Sequence, residues 1–388
     1  MLFQFGLRSS LLLIFFTHLC VYAGLLYKRG VQQERLSDRL LASFFLLSAL
    51  FIFPWMSGFA GWYDTQPYRE ILFYTPFIHA LFFGPLLYLY LKSLTNAQYK
   101  LSKADWLHFL PGALYLLWCL VVVVADKFIV GRYYLMNGRT DPDFDSWYNW
   151  TWSASILIYL ALSIRYYRQY LVFSNFEFSF ADAASFKWLR NFLYAFALLT
   201  TLLISEHVLS LFVDLVYVRA WYYFFAFALI TYYMAISAYS ARPIIKLNFE
   251  PRLLTAYQQP LQLANNNTID ITYQDLDWME DWKIKVDELM AVKKVYLEPE
   301  LTLTDLAKKT GTNASLLSKV INASYGQNFN DYVNRFRVEE AIRLMNQPGY
   351  RNFNLLAIAY DAGFNSKSTF NRAFKKVTGK NPKEHLSN

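Results

Sequence analysis

At 388 residues the chain can hold two or three domains with sizeable cores. Hydrophobic residues make up 55%, aromatics 19% and charged residues only 17%, against about 25% charged in ordinary soluble domains; that much apolar surface excludes a wholly soluble protein. The net charge of +8 sits at one end: residues 293–388 carry 15 Lys/Arg and 8 Asp/Glu, while the first 292 carry 22 and 21, which points to a tail that meets nucleic acid or an acidic surface, the alternative being a solvated basic face.

Seven stretches have the roughly 20 apolar residues that a helix needs to cross about 30 Å of hydrocarbon. They lie near 7–27, 40–60, 71–91, 106–125, 147–166, 189–212 and 221–240. The first follows a single early Arg8 and has no A-x-A-like cleavage site before Lys28, so it is expected as a retained span. Pro54, Pro76, Pro85 and Pro111 interrupt several spans, which neighbouring helices can tolerate. Cys20 and Cys119 lie inside spans and suit packing, not a disulfide framework or a metal site. One set of loops holds 14 Lys/Arg and the other six. The positive-inside rule then puts the N-terminus outside and the C-terminus in the cytoplasm of a bacterial inner membrane.

Ionisable residues at membrane depth are costly and often functional. His79 in the third span and Glu206 in the sixth fall at a similar depth below the outer surface, roughly 9–12 Å at 1.5 Å per residue. They are the candidate signal-binding residues, with a structural bond between helices as the alternative. No G-x-S-x-G, H-E-x-x-H or P-loop occurs, so no enzyme, cofactor or metal is expected.

The transmembrane domain is expected over 1–242 and a linker over 243–282, where prolines, an Asn run and acids replace the apolar runs. An amphipathic connector helix follows over 283–297. The remainder, 298–388, reads as short capped helices. Thr302 and Asp305 have capping-box spacing ahead of a helix at 303–309, Gly311 turns the chain, and Asn313 caps a helix at 314–323. In that helix Leu316, Leu317, Val320 and Ile321 make one face, and Ser315, Ser318, Lys319 and Asn322 the opposite one. A long helix is expected over 328–345, with Phe329, Tyr332, Val333, Phe336, Ala341, Leu344 and Met345 inward. The two-helix pattern then repeats: a helix at 355–362, Gly363 in the turn, Asn365 as cap, and a helix at 366–378 ending at Gly379 with Pro382 beyond. Phe370, Ala373, Phe374 and Val377 form its apolar stripe. Ser368, Arg372 and Lys375 point away from that stripe, flanked by Asn371 and Lys376.

The runs LTLTDLAKKTGTNASLLSKVIN, FNDYVNRFRVEEAIRLM and IAYDAGFNSKSTFNRAFKKVTGKNP resemble the DNA-binding domain of the AraC/XylS family over about residues 298–386. The layout as a whole resembles membrane-bound regulators of that type. The tail departs from the family's pattern, ending Pro382-Lys383-Glu384-His385-Leu386 without the usual terminal Arg, which puts only its phosphate contacts in doubt. The resemblance implies an all-α chain: a polytopic helical bundle, then two helix-turn-helix units joined by a long helix. It implies sequence-specific reading of duplex DNA by Ser315, Ser318, Lys319 and Asn322 in the first unit. In the second unit the readers would be Ser368, Asn371, Arg372, Lys375 and Lys376, with Arg372 foremost because Arg can bond guanine bidentately. The partners expected are double-stranded DNA, the lipid bilayer, a second copy of the chain, and an unidentified small-molecule or membrane signal. The alternative is a membrane transporter or enzyme whose C-terminal domain does not bind DNA.

Overall fold

The computed structural model describes residues 4–136, 142–181, 187–209, 212, 217–241, 248–252, 254, 273–350 and 353–386, without the side chains of 144, 187, 206, 207, 217, 273–278 and 386. Among them every extended element is a helix, and β pairing is limited to the isolated bridges Asn96–Asn248 and Phe178–Thr302. The chain is all-α, as expected. It divides into two compact units: Met1–Tyr166 with Trp188–Asn248, and Tyr167–Lys187 with Phe249–Asn388.

The first unit begins with α1 (Leu7–Gln32) and α2 (Leu36–Phe59), a hairpin of two long apolar helices. Its turn is fixed by the Arg29 guanidinium, which donates to Asp38 from Nε at 2.7 Å and to the Tyr239 carbonyl from Nη1 at 2.9 Å. The third apolar stretch is not one helix. It is α3 (Tyr68–Tyr74) and α4 (Ala80–Thr95), separated by five non-helical residues. Pro76 explains the break: it has no N–H to donate and disfavours a helical Thr75. The freed amides of Phe77 and Ile78 donate to the Asp143 carboxylate at 2.8 and 3.0 Å. His79 is therefore the residue that opens α4, not one inside a continuous span.

The fourth stretch is a continuous helical run from Lys103 to Ile129 containing α5 (Lys103–Trp106) and α6 (Leu110–Val123). A reciprocal capping box between Ser102 and Asp105 starts it. Then come α7 (Ser146–Glu177), α8 (Lys187–Leu209) and α9 (Tyr217–Ser240). The core of this unit is aromatic: Phe44, Phe83, Phe196 and Phe227 are all at most 1% exposed, and Phe51 lies 4.5 Å from Phe227 between ring centroids. Among the described residues five helices are long and apolar enough to cross a membrane: Leu7–Gln32, Leu36–Phe59, Lys103–Ile129, Trp188–Ser205 and Val218–Ser240. Of the seven expected spans, the third is thus broken, leaving the shorter apolar helix Ala80–Thr95, and the fifth lies in α7, which is not among those five. At 32 residues α7 also runs eleven residues past the expected end at Tyr166, into the second unit.

In the second unit α10 (Tyr273–Asp287) starts ten residues before the expected connector, inside the stretch read as linker. One wide turn over 288–292 ends it, and Lys294 in a left-handed conformation (φ +50) separates it from the short turn Val295–Leu297. The connector over 283–297 is therefore two pieces; its Val286, Leu289, Met290 and Val295 are buried, while Ile284 is exposed.

Five helices follow, each opened by a side-chain cap. They are α11 (Leu303–Thr310) after Thr302, α12 (Ala314–Tyr325) after Asn313, α13 (Phe329–Met345) after Asn328, α14 (Leu355–Asp361) after Asn354, and α15 (Lys367–Thr378) after Ser366. The cap of α15 is Ser366, one residue beyond the expected Asn365: the Thr369 amide donates to its Oγ at 3.2 Å. A last turn, α16 (Pro382–Leu386), closes the chain. Val338, Ala341, Leu344, Ile358, Phe364, Phe370 and Phe374 form the core between α13, α14 and α15. Val377, expected in that stripe, is exposed, and Phe336, expected inward, is half-buried.

Candidate DNA-binding site

The geometry of two helix-turn-helix units is complete. In the first, α11 and α12 are joined through Gly311 at φ +82; in the second, α14 and α15 are joined through Gly363 at φ +88. The left-handed region is open to glycine at no steric cost. The long helix α13 connects the pairs and packs on α12, α14 and α15.

On α15, Ser368, Asn371, Arg372, Lys375 and Lys376 are all exposed. Lys376 is engaged within the unit: its Nζ donates to both carboxylate oxygens of Asp331 on α13 at 2.7 Å. Beside it a polar cleft of about 630 Å³ opens, lined by Gln327, Asn328, Asp331, Arg335, Arg372 and Lys376, among others.

The first unit departs from the expected face. Lys319 is exposed and Ser315 half-buried, but Ser318 (2% exposed) and Asn322 (5%) are inside, with Asn322 Nδ2 donating to Ser318 Oγ at 3.3 Å. The buried stripe of α12 is Leu317, Ser318, Val320, Ile321 and Asn322, and Leu316 is only half-buried. The consecutive leucines 316 and 317 let the apolar face be centred on either side, and α12 is packed by α10, α11 and α13, with Tyr325 donating to Asp287 of α10. Of the four residues expected to face outward on this helix, only Ser315 and Lys319 reach the surface.

Sequence reasoning missed the most buried cation among the described residues. Arg337, at 0% exposed, donates from Nε to the Tyr296 carbonyl (2.7 Å), from Nη2 to the Glu298 carbonyl (2.7 Å) and Ser179 Oγ (3.0 Å), and from Nη1 to the Ser179 carbonyl (3.2 Å). These acceptors are neutral, and burial lowers its pKa to about 9. On the same helix Arg343 donates to Glu340 at 2.6 and 2.8 Å and holds that carboxyl below its ordinary pKa. Asn330, Asn334 and Arg337 stand at i, i+4 and i+7, a spacing that on an otherwise amphipathic helix reads as a solvated stripe.

For the signal-binding pair, His79 sits at the break between α3 and α4, and the Glu206 side chain lies outside the described residues. Among the described residues, no group of three or more His, Cys, Asp or Glu could hold a metal.

A family profile described as a helix-turn-helix domain matches residues 306–388. Uncharacterized HTH-type transcriptional regulators of Staphylococcus aureus strains COL and MSSA476 are each 30% identical over 101 residues, covering 26% of this chain and 13% of theirs. A putative AraC-like transcription regulator of Streptomyces lividans is 33% identical over 84 residues, 22% of this chain and 27% of its own. The chain therefore spans only a small part of the length of these relatives. No solved structure matches it.

Proposed function

We propose that this chain, which carries an AraC-type helix-turn-helix domain at its C-terminal end, is a membrane-embedded one-component transcription regulator. Its two helix-turn-helix units would read DNA, and its apolar helices would hold it in a bacterial inner membrane and receive a signal. The observation that carries the reading is the presence in one chain of two capped helix-turn-helix units and five helices with the length and apolarity of membrane spans. The outer face of α6 supports it: Leu114, Leu117 and Leu120 are each more than half exposed, a patch suited to lipid and not to water.

Genome-wide mapping of the DNA bound by the tagged full-length chain in its own host should recover a small set of sites sharing a motif. Recovery of no specific DNA would favour a transporter or enzyme with a non-binding C-terminal domain. Arg372→Ala should cost about 1–3 kcal/mol at the recovered motif, the worth of one bidentate base contact, and little on random DNA. Equal losses on both would assign Arg372 to phosphate.

The orientation predicts that a reporter active only outside the inner membrane is on when fused at Gly138 and off at Gln98 and Asn388; activity at Asn388 would overturn it. For signal reception, His79→Asn and Glu206→Gln in the full chain should leave membrane levels normal and lock promoter output. Normal, responsive output from both would remove them as signal residues, and loss of the protein from the membrane would make them structural.

A further inference from the structure

The second unit contains a piece of chain far from the rest of it in sequence. After α7 ends at Glu177, residues 178–181 form a short strap, a single bridge residue followed by a turn, that enters the core of the helix-turn-helix unit: Phe178, Ser179, Phe180 and Ala181 are all 3% exposed or less. Phe178 pairs with Thr302 as an antiparallel bridge. The Ser179 amide donates to the Leu301 carbonyl at 3.2 Å, and its Oγ donates to the same oxygen at 2.7 Å. From α13, Asn330 Nδ2 donates to the Phe178 carbonyl at 2.9 Å and Asn334 Nδ2 to the Ser179 carbonyl at 3.0 Å. Glu177 Oε1 accepts from the Thr304 amide at 3.2 Å, in the first turn of α11, where a carboxylate is favoured.

The chemistry of this groove is specific. It takes a segment that pairs at one residue and then turns, whose small hydroxyl residue lies between two phenylalanines, with an acid two positions earlier. Arg337 makes the demand strict, because an empty groove would leave a buried guanidinium without its Ser179 acceptors, and a buried cation needs them. The strap also touches two elements that set the reading geometry. Its bonds reach the segment entering α11 and the long helix α13 that joins the two helix-turn-helix units. On its other sides the strap continues by covalent chain into α7 and towards α8, helices that belong largely to the apolar unit.

We infer that residues 177–181 are a built-in peptide ligand of the DNA-binding unit, and that tight binding to its specific DNA requires this strap to be docked. The inference rests on the DNA-binding reading above. With the strap docked, α11 and α13 are held together and both recognition helices are presented in one arrangement. With it released, that arrangement is lost, and reading by two helices is sensitive to their spacing. A change in the apolar helices would thus reach the DNA through the strap.

The test uses the full chain in lipid nanodiscs, comparing wild type, Ser179→Pro, and the double variant Asn330→Ala/Asn334→Ala, which leaves the strap's own sequence intact. Hydrogen exchange reports docking through the amides of residues 178–181, and titration with the mapped DNA site reports binding. Wild type should protect these amides. Both variants should lose that protection and bind the site at least tenfold more weakly, while amides in the cores of α13 and α15 stay protected. A synthetic peptide of residues 173–181 added to Ser179→Pro should restore most of the affinity. Free exchange of the strap in wild type, wild-type affinity in both variants after the strap is exposed, or no rescue by the peptide would each overturn the inference. A protected strap in a wild-type chain that binds no specific DNA would instead overturn the DNA-binding reading and leave the docking in place.

Discussion

Gly363→Ala should unfold or severely loosen the second helix-turn-helix unit. The residue sits at φ +88, and a Cβ placed there would stand 2.6 Å from the Tyr296 carbonyl oxygen and 2.8 Å from Leu297 Cα. Both are backbone atoms, so no side chain can swing aside. The left-handed backbone alone costs a residue with a Cβ about 1–2 kcal/mol. The overlap must then push apart the 295–297 turn and the α14–α15 turn, and the same Tyr296 carbonyl is held by Arg337. The total should reach roughly 3–5 kcal/mol, the range of large core losses, against a domain stability of about 5–15 kcal/mol. Gly311→Ala is the control. It has nearly the same φ, +82, but nothing lies within 4 Å of its Cβ position, so only the backbone cost of about 1–2 kcal/mol should appear. Denaturant melts of the purified full chain, followed by hydrogen exchange in α14 and α15, separate the two; equal effects would show that the close approach to Tyr296 has no energetic weight.

Phe374→Ala should be of similar size. Phe374 is fully buried, with its ring 5.5 Å from Phe370 and 5.4 Å from His385 between centroids, in the core that joins α13, α14 and α15. Removing such a ring costs about 3–5 kcal/mol through lost burial and the cavity left behind. One turn on, Val377→Ala should change stability by less than about 0.5 kcal/mol, as surface changes do, because Val377 is 44% exposed. A large effect at Val377 and a small one at Phe374 would mean that α15 is rotated relative to the arrangement described.

Features governed by neighbours in sequence were legible beforehand. Thr302, Asn313, Gly311, Gly363 and Gly379 mark helix ends because caps and left-handed turns are decided within four residues. The apolar spans were legible for a similar reason, composition over about 20 residues. Pro76 was read as a tolerated interruption, yet it splits the third span, because the acceptor for the freed amides is Asp143, more than 60 positions away. The buried side of α12 depended on which neighbour covers it, and the pattern around Leu316 and Leu317 fits two rotations. The polar stripe of α13 was the least legible part. Asn330, Asn334 and Arg337 look solvated until the strap that satisfies them is placed beside them, and nothing local to either segment names the other.

The distance along the chain between the strap and its groove also sets an order of events during synthesis. Ser179 precedes Arg337 by 158 residues. At about 5–20 residues per second of translation, the strap emerges roughly 8–30 s before the last side chain of its groove exists. Through that interval Phe178 and Phe180 lack the groove that buries them in the folded unit, and exposed apolar segments of this kind aggregate or recruit chaperones. The helix-turn-helix unit reaches its final form only when residues 122 to 158 positions later fold back onto a piece made long before, so a ribosome that stalls after the apolar helices leaves behind a protein whose strap is uncovered.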